Sequence, residues 1–300
     1  MRVLSLFDGI SCGMVALERA GIPVERYVAY EIDENAIKIS KNNYPHIEHC
    51  GDVFTAKYNE GEFDLLIGGS PCTYWSIAQN PNNREKTSSG MGWELFMQYV
   101  RALREVKPKY FLYENNASMS TDIKQEITKK LGVEPIIIDS ALVSAQSRKR
   151  LYWTNIPNVA PPKNKHIVVD DIIDKNAKGI NFIDKAIFNE NKIIAEKSDK
   201  PIKVGIINKG RQGERIYATN GKTVTMMAAA GGLGANTSLY MVGDVVRRLT
   251  VLEAERAQTL PDNYTVGISE NQRYKAIGNG WTVDVIAHIL SFIPSVALRK

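Results

Sequence analysis

The first half of the chain alternates short apolar runs with amphipathic ones. Arg2 to Phe7 reads as a strand, followed by a turn containing Asp8, Gly9 and Gly13, and then by a helical run from Met14 to Ala20 that stops at Gly21. Arg26 to Glu31 is a second strand-like run. Asp33 is placed to cap a helix reaching Asn43, because its carboxylate can accept otherwise orphaned N–H groups. Phe63 to Gly68, Lys109 to Glu114, Glu134 to Val143 and Leu151 to Thr154 read as further strands. Trp93 to Val106 and Asp122 to Leu131 read as helices, stopping before Pro108 and at Gly132. Strands that alternate with helices predict an α/β fold: a mostly parallel sheet covered by helices on both faces.

The pattern weakens near Pro157. Pro161-Pro162, followed by Lys163 and Lys165, has the look of a linker. Mixed strands and glycine-rich turns, such as Gly231-Gly232-Leu233-Gly234, follow as far as Gly243. From Arg247 the α/β character returns. Leu252 to Leu260 is helical, and Arg273 to Phe292 reads as strand, turn and helix around Gly278 and Gly280. The expected organisation is a larger α/β domain over 1–156, a smaller domain over 157–244, and a return to the first domain over 245–300.

Composition narrows the classes. Hydrophobic residues make up 44 % and charged residues 24 % of the 300, the balance of a soluble globular protein. The three cysteines, Cys12, Cys50 and Cys72, form no CxxC pair, which argues against a disulfide framework or a cysteine-rich zinc site. No apolar run approaches the roughly 18 residues that span a bilayer, and the N-terminal run MRVLSLFDGISCG lacks the form of a signal peptide. A cytoplasmic protein with no membrane partner is expected. The net charge of +5 fits a polyanionic partner, although many soluble proteins carry as much.

Several residues carry candidate chemistry. The turn Phe7-Asp8-Gly9-Ile10-Ser11-Cys12-Gly13 follows the first strand, at the edge where open α/β sheets bind ligands. By itself it is more often a structural turn. Glu31 at the end of the second strand and Asp52 further on could accept from a ribose and an adenine amine, and together they favour an adenosine-type cofactor. Cys72, after Pro71 in Gly68-Gly69-Ser70-Pro71-Cys72, sits at a strand end in polar surroundings, where a thiolate nucleophile is exposed; elsewhere a cysteine is usually a small buried hydrophobe. Glu114 could hydrogen-bond a ring nitrogen, or be a surface acid. Gln146, Arg148 and Arg150 alternate, so in a strand they would share one face and could bind phosphate or a base oxygen; alone, such a pattern is usually a solvated face.

In order and spacing these sites resemble the cytosine-5 DNA methyltransferase family, from Leu4 to Leu290. FDGISCG looks like its S-adenosylmethionine turn, GGSPC its Pro-Cys motif, YENN its Glu-Asn motif and QSRKR its Gln-x-Arg-x-Arg motif. RRLTVLEAERAQTLPD resembles the helix beside the target-recognition domain, and AIGNGWTVDVIAHIL the last motif, which closes the cofactor pocket. SLFDGI, SPC-x-x-x-SI and the Trp after Gly280 are similar to the animal de novo methyltransferase domain, and GRQGERIYATNGKTVT to bacterial and phage members, so a prokaryotic or phage enzyme is expected. Asn116 departs from the family's Glu-Asn-Val, altering an apolar contact near the base.

The resemblance implies an S-adenosylmethionine-dependent methyltransferase fold with a smaller target-recognition domain. It implies transfer of a methyl group to C5 of a cytosine flipped out of duplex DNA. Cys72 would add to C6, Glu114 would hold N3 and the exocyclic amine, Arg148 would bind O2, and Arg150 would hold a phosphate or the catalytic loop. S-Adenosylmethionine would lie against Phe7, Asp8, Gly9, Ser11, Gly13, Glu31, Ile32, Asp52, Val53, Pro71, Asn279 and Trp281. Thr73 to Gly92 would close over DNA, with Ser76 and Ile77 filling the vacated stack. Arg211, Gln212, Arg215, Thr223 and Thr225 would read the sequence. Double-stranded DNA is the expected partner, the expected state a monomer, and a restriction endonuclease of the same system an allowed partner. The rivals are a tRNA methyltransferase of the family and a catalytically silent DNA-binding homologue.

Overall fold

The computed structural model describes residues 1–71, 74–75, 84–85, 87–189, 196–228 and 232–294. The chain divides into two compact units. One comprises Met1–Ile138, Lys149–Pro161 and Ile286–Lys300; the other comprises Asp139–Arg148 and Pro162–Val285.

The first unit is built on a sheet of seven strands: β1 (Arg2–Leu6), β2 (Arg26–Tyr30), β3 (Glu48–His49), β4 (Leu65–Gly68), β5 (Tyr110–Asn116), β6 (Ile136–Asp139) and β7 (Lys149–Thr154), in the order β3-β2-β1-β4-β5-β7-β6. Pairings among the first five are parallel; β7 runs antiparallel to β5, with Glu114 opposite Tyr152 and Asn116 opposite Arg150. From β1 the chain moves outward to β2 and β3, then returns to place β4 on the other side of β1. That reversal leaves the ends of β1 and β4 side by side, the crevice where such sheets take ligands.

The helices are α1 (Cys12–Arg19), α2 (Glu34–Asn43), α3 (Met91–Val106) and α4 (Thr121–Leu131). Local chemistry sets their ends. Asp33 accepts from the N–H groups of Asn35 and Ala36 at the start of α2, Ser120 accepts from Ile123 at the start of α4, and Gly132 ends α4 in the left-handed conformation. The core is strongly aromatic. Tyr113 on β5 lies 5.2 Å from Phe96, 4.9 Å from Tyr99 and 5.8 Å from Trp153, ring centre to ring centre, all at tilted angles. Each such pair adds roughly 1 kcal/mol to the burial of its rings.

The second unit holds a sheet of five strands, β8 (Ala186–Phe188), β9 (Lys203–Ile207), β10 (Arg215–Ala218), β11 (Leu239–Val242) and β12 (Val245–Arg248), in the order β12-β11-β10-β9-β8. Only the β10–β11 pairing is parallel. Ile202, Val204, Ile207, Ile216, Leu239 and Val246 form one of its apolar clusters. Helices α5 (Val251–Ala257) and α6 (Glu270–Asn279) follow, and α7 (Val283–Leu290) leads back to the first unit. Thr250 and Glu253 form a capping box at α5, and Glu253 also carries a buried ion pair with Arg247 at 2.7 Å.

Three expected elements differ. The strand expected over 134–143 ends at Asp139, because the Asp139 carboxylate accepts from the N–H of Ala141 and turns the chain into a short 3₁₀ segment, Ser140–Leu142. The stretch from Arg273 opens in a helix, not a strand: Tyr274, Ile277 and Gly278 recur at helical spacing and are all buried. Gln146 and Arg148 precede β7, so the Gln-x-Arg-x-Arg run is not one strand face. Among the described residues no helix is long and apolar enough to cross a membrane.

Candidate active site

The turn after β1 is tightly wound. Phe7, Gly9 and Ser11 have φ of 57°, 60° and 58°. Glycine adopts this conformation freely, whereas each of the other two costs about 1–2 kcal/mol, so the surroundings must hold them. Asp8 does much of this: Ser5 and Tyr27 donate to its Oδ1 and Ser11 to its Oδ2. Burial raises the Asp8 carboxyl to about 6, against the pull of those three hydroxyls, and the nearby Glu31 raises it further. Glu31 binds the backbone of the same turn, accepting from Gly9 at Oε2 and from Ile32 and Asp33 at Oε1.

The next two strand ends extend this edge. Ile32, just after β2, is 71 % exposed, which is unusual for an isoleucine beside a sheet. Asp52 follows β3, caps Val53–Thr55 through Phe54 N–H, and stands next to Phe54, which is 45 % exposed. Arg101 of α3 fixes this segment by donating to the carbonyls of Val53 and Ala56. The edge therefore presents carboxylate acceptors beside exposed apolar side chains, and that set fits an adenosine: a flat apolar base with a donating amine, and a diol.

Across the crevice, β4 runs into Gly69-Ser70-Pro71. Pro71 is exposed, and Cys72, Ser76 and Ile77 lie outside the described residues. The approach to Cys72 is held from β5. Asn115 Nδ2 donates to the Ser70 carbonyl at 3.1 Å, and the Ser70 and Tyr113 hydroxyls meet at 2.6 Å. Gly68 is in register with Tyr113, which sets Glu114 just beyond the end of β4. Glu114 lies inside β5 rather than at its end. Its Oε1 is 3.0 Å from Nε of Arg150, and both side chains are nearly buried. The two residues stand diagonally across the β5–β7 pair, within reach of long side chains. Asn116 is buried too; its Oδ1 accepts from the N–H and the hydroxyl of Ser118, so the polar replacement of the usual valine shapes the turn after β5.

In the second unit, Arg148 is buried and donates to the carbonyls of Met226 (3.4 Å), Gly278 (3.1 Å) and Gly280 (3.2 Å). Gln146 is likewise engaged: Nε2 donates to Gln258 Oε1, and Oε1 accepts from Met226 N–H. Gln258 in turn donates to the carbonyls of Ile277 and Gly280. Gly278 admits no side chain, because a Cβ there would lie 2.7 Å from the backbone of Met227 and Ala228. These contacts fix the turn that presents Asn279 and Trp281. Lys222, fully buried, donates to the carbonyls of Ala141, Ser144 and Ile167. Burial lowers its pKa.

Of the residues expected to read DNA, Arg211, Gln212 and Arg215 are exposed. Thr223 is fully buried and bridges Gln146, and the Thr225 hydroxyl donates to the Ser147 carbonyl. Sequence reasoning missed Ser5, Tyr27, Ser40, His49, Gln258 and Lys222. The one signal was Ser5, a polar residue inside an otherwise apolar strand.

A family model for C-5 cytosine-specific DNA methylase matches residues 1–295. The chain belongs to that family. It is 30 % identical over 312 residues to the type II methyltransferase M.HhaI of Haemophilus parahaemolyticus, covering 96 % of this chain and 93 % of that one. It is 29 % identical to the orphan methyltransferase M.Rho11sI of Bacillus phage rho11s, spanning 82 % of this chain but 61 % of the phage protein. Among solved structures, the S. pombe Dnmt2 methyltransferase superposes with a TM-score of 0.66 at 18 % identity, over 99 % of both chains. The Entamoeba histolytica methyltransferase EhMeth gives 0.65 at 15 %, over 97 % of both. The fold is that of S-adenosylmethionine-dependent methyltransferases.

Proposed function

We propose that this family member methylates C5 of cytosine in double-stranded DNA, with Cys72 as nucleophile. The observation that carries the reading is the nearly buried Glu114–Arg150 pair, whose Glu114 lies on β5, the strand that also holds the approach to Cys72 through Asn115. A charged pair facing a ligand edge is suited to a polar ring such as a base. Cys72 adds as thiolate to C6 of the flipped cytosine, which makes C5 electron-rich; C5 of free cytosine is a poor nucleophile. Glu114 receives the exocyclic amine and supports a proton on N3. Arg150 orients Glu114 and takes the O2 contact, because the Arg148 guanidinium is engaged by three carbonyls. Bound S-adenosylmethionine supplies an electrophilic methyl group. Phe7, Ile32 and Phe54 would cover its adenine, Glu31 would take its ribose and Asp52 its amine. Loss of the C5 proton and of Cys72 restores the aromatic ring. Arg211, Gln212 and Arg215, within 157–244, contact DNA.

Tritiated-methyl transfer, run in parallel on duplex DNA and on tRNA, tests the substrate; labelled tRNA beside unlabelled DNA would overturn it. Duplex DNA carrying 5-fluorocytosine tests the covalent step, because the C5 substituent cannot leave and the adduct persists. Cys72→Ala is expected to abolish both transfer and trapping while DNA binding persists, and turnover near that of the wild type would remove Cys72 from the reaction.

A further inference from the structure

The polar groups beneath the turn at Phe7–Gly13 form one directed string. Asp8 receives hydroxyls from Ser5 and Tyr27 at Oδ1, at 2.6 and 2.7 Å, and from Ser11 at Oδ2, at 2.5 Å. A serine hydroxyl has a single proton to give. Ser11 gives its own to Asp8, so in the 2.6 Å contact between Ser11 and Ser40 it is Ser40 that donates. Ser40 has none left for His49, so their 3.0 Å contact requires a proton on His49 Nε2. The other ring nitrogen, Nδ1, is buried with no partner among the described residues. Proton counting thus runs the string one way: His49 to Ser40 to Ser11 to Asp8.

We propose that Asp8 is a positioning residue for the cofactor, its ionised carboxylate holding the turn in the binding conformation and its protonation state relayed through Ser11 and Ser40 to His49. This rests on the reading of the turn as the S-adenosylmethionine site. A proton on Oδ1 displaces the donor hydroxyl of Ser5 or Tyr27. A proton on Oδ2 reverses the string: Ser11 and Ser40 turn round, Nε2 becomes an acceptor, and the imidazole proton moves to Nδ1, a buried donor with nothing to receive it. Either route removes a tie from a turn whose Phe7 and Ser11 hold left-handed backbone only because they are tied. Of the charged groups near the string, Glu31 favours a proton on Asp8; a second proton on His49 is opposed first by burial and then by Lys41.

The test is calorimetric titration of the full chain with S-adenosylhomocysteine from pH 5 to 8, with nitrogen NMR of the histidines. Affinity should fall about tenfold from pH 7 to pH 5, because a carboxyl titrating at about 6 is roughly one-tenth ionised at the lower value. Asp8→Asn, whose amide nitrogen must donate to Ser11, should bind at the acid-form level throughout, with no pH dependence. His49 should carry its proton on Nε2 at pH 7.5 and shift with the binding midpoint. Ser40→Ala should abolish that coupled shift while binding keeps its pH dependence. Wild-type affinity level from pH 5 to 8, or an Asp8→Asn variant with wild-type pH dependence, overturns the proposal while leaving the cofactor reading intact. No binding by the wild type at any pH overturns the cofactor reading and the proposal with it. Should Asp8→Asn fail to fold, the wild-type titration and the His49 spectrum decide alone.

Discussion

At the end of β1, the turn from Phe7 to Gly13 is held by neighbours: Ser5 and Ser11 lie three positions from Asp8, Tyr27 lies 19 away, and Glu31 reaches Gly9 across 22. Between β6 and β7, the segment carrying Gln146 and Arg148 is held from afar. Gln258 is 112 positions from Gln146, Gly278 is 130 from Arg148, and Thr282 is 142 from Ser140. The first region is one supersecondary unit whose geometry is local. The second exists only once distant parts of its unit have closed on it, and buried hydrogen bonds help offset the entropy of closing those loops. Residues two apart in sequence, Arg148 and Arg150, consequently do different work: one knits backbone carbonyls, the other holds a carboxylate.

That contrast can be broken experimentally. The largest effect is expected from Arg150→Met, which leaves the nearly buried Glu114 without its ion-pair partner. Methyl transfer should drop roughly 10²–10³-fold, the scale of losing one preorganised charged contact; a variant as active as the wild type would detach Arg150 from the chemistry. Arg148→Met should do the reverse in kind. Removing the donor to the carbonyls of Met226, Gly278 and Gly280 is expected to cost about 2–4 kcal/mol in urea unfolding, and an unfolding midpoint equal to the wild type would refute the knitting role.

A smaller effect concerns pH. The Asp8 carboxyl is raised to about 6 in the folded chain, from an ordinary 3.8. The folded state therefore holds this proton more tightly than the unfolded state, and Asp8's contribution to stability is greatest below about pH 4 and declines as pH rises through 6. Asp8→Asn removes that decline, so its stability relative to wild type should rise by about 2 kcal/mol between pH 4.5 and 7. A difference that stays constant over that range would place the carboxyl at its ordinary value. The smallest effect is expected from Asp33→Ala, which deletes the cap of α2 and should cost about 1 kcal/mol in the same unfolding measurement.

The same contrast explains what could be read from the sequence. The strands and helices of the first unit carry their own punctuation in Asp33, Ser120, Gly132 and Pro108, so their order and the parallel character of the sheet were legible. The position of Glu114 relative to Arg150 was not, because an antiparallel β7 inserted beside β5 brings them together, and alternation in a linear run says nothing about strand direction. The helix at Glu270–Asn279 was mistaken for a strand opening because Gly278 and Gly280 look like breakers. Gly278 is there for a different reason, the close passage of the backbone at Met227 and Ala228. Asn116, read as a lost apolar contact, has a structural task in binding Ser118. The Ser40–His49 link beneath the turn after β1 was invisible because neither residue belongs to a motif.

Lys222 has a use outside the reaction. Its amine is sealed under the carbonyls of Ala141, Ser144 and Ile167, so an acylating reagent in solution has no path to it while the second unit stays closed. Every other lysine that is exposed should label at once; Lys222 should label only as fast as that unit opens. Mass-spectrometric timing of modification at this one position, with and without bound DNA, would give a native clock for the opening of the second unit, needing no introduced dye or mutation.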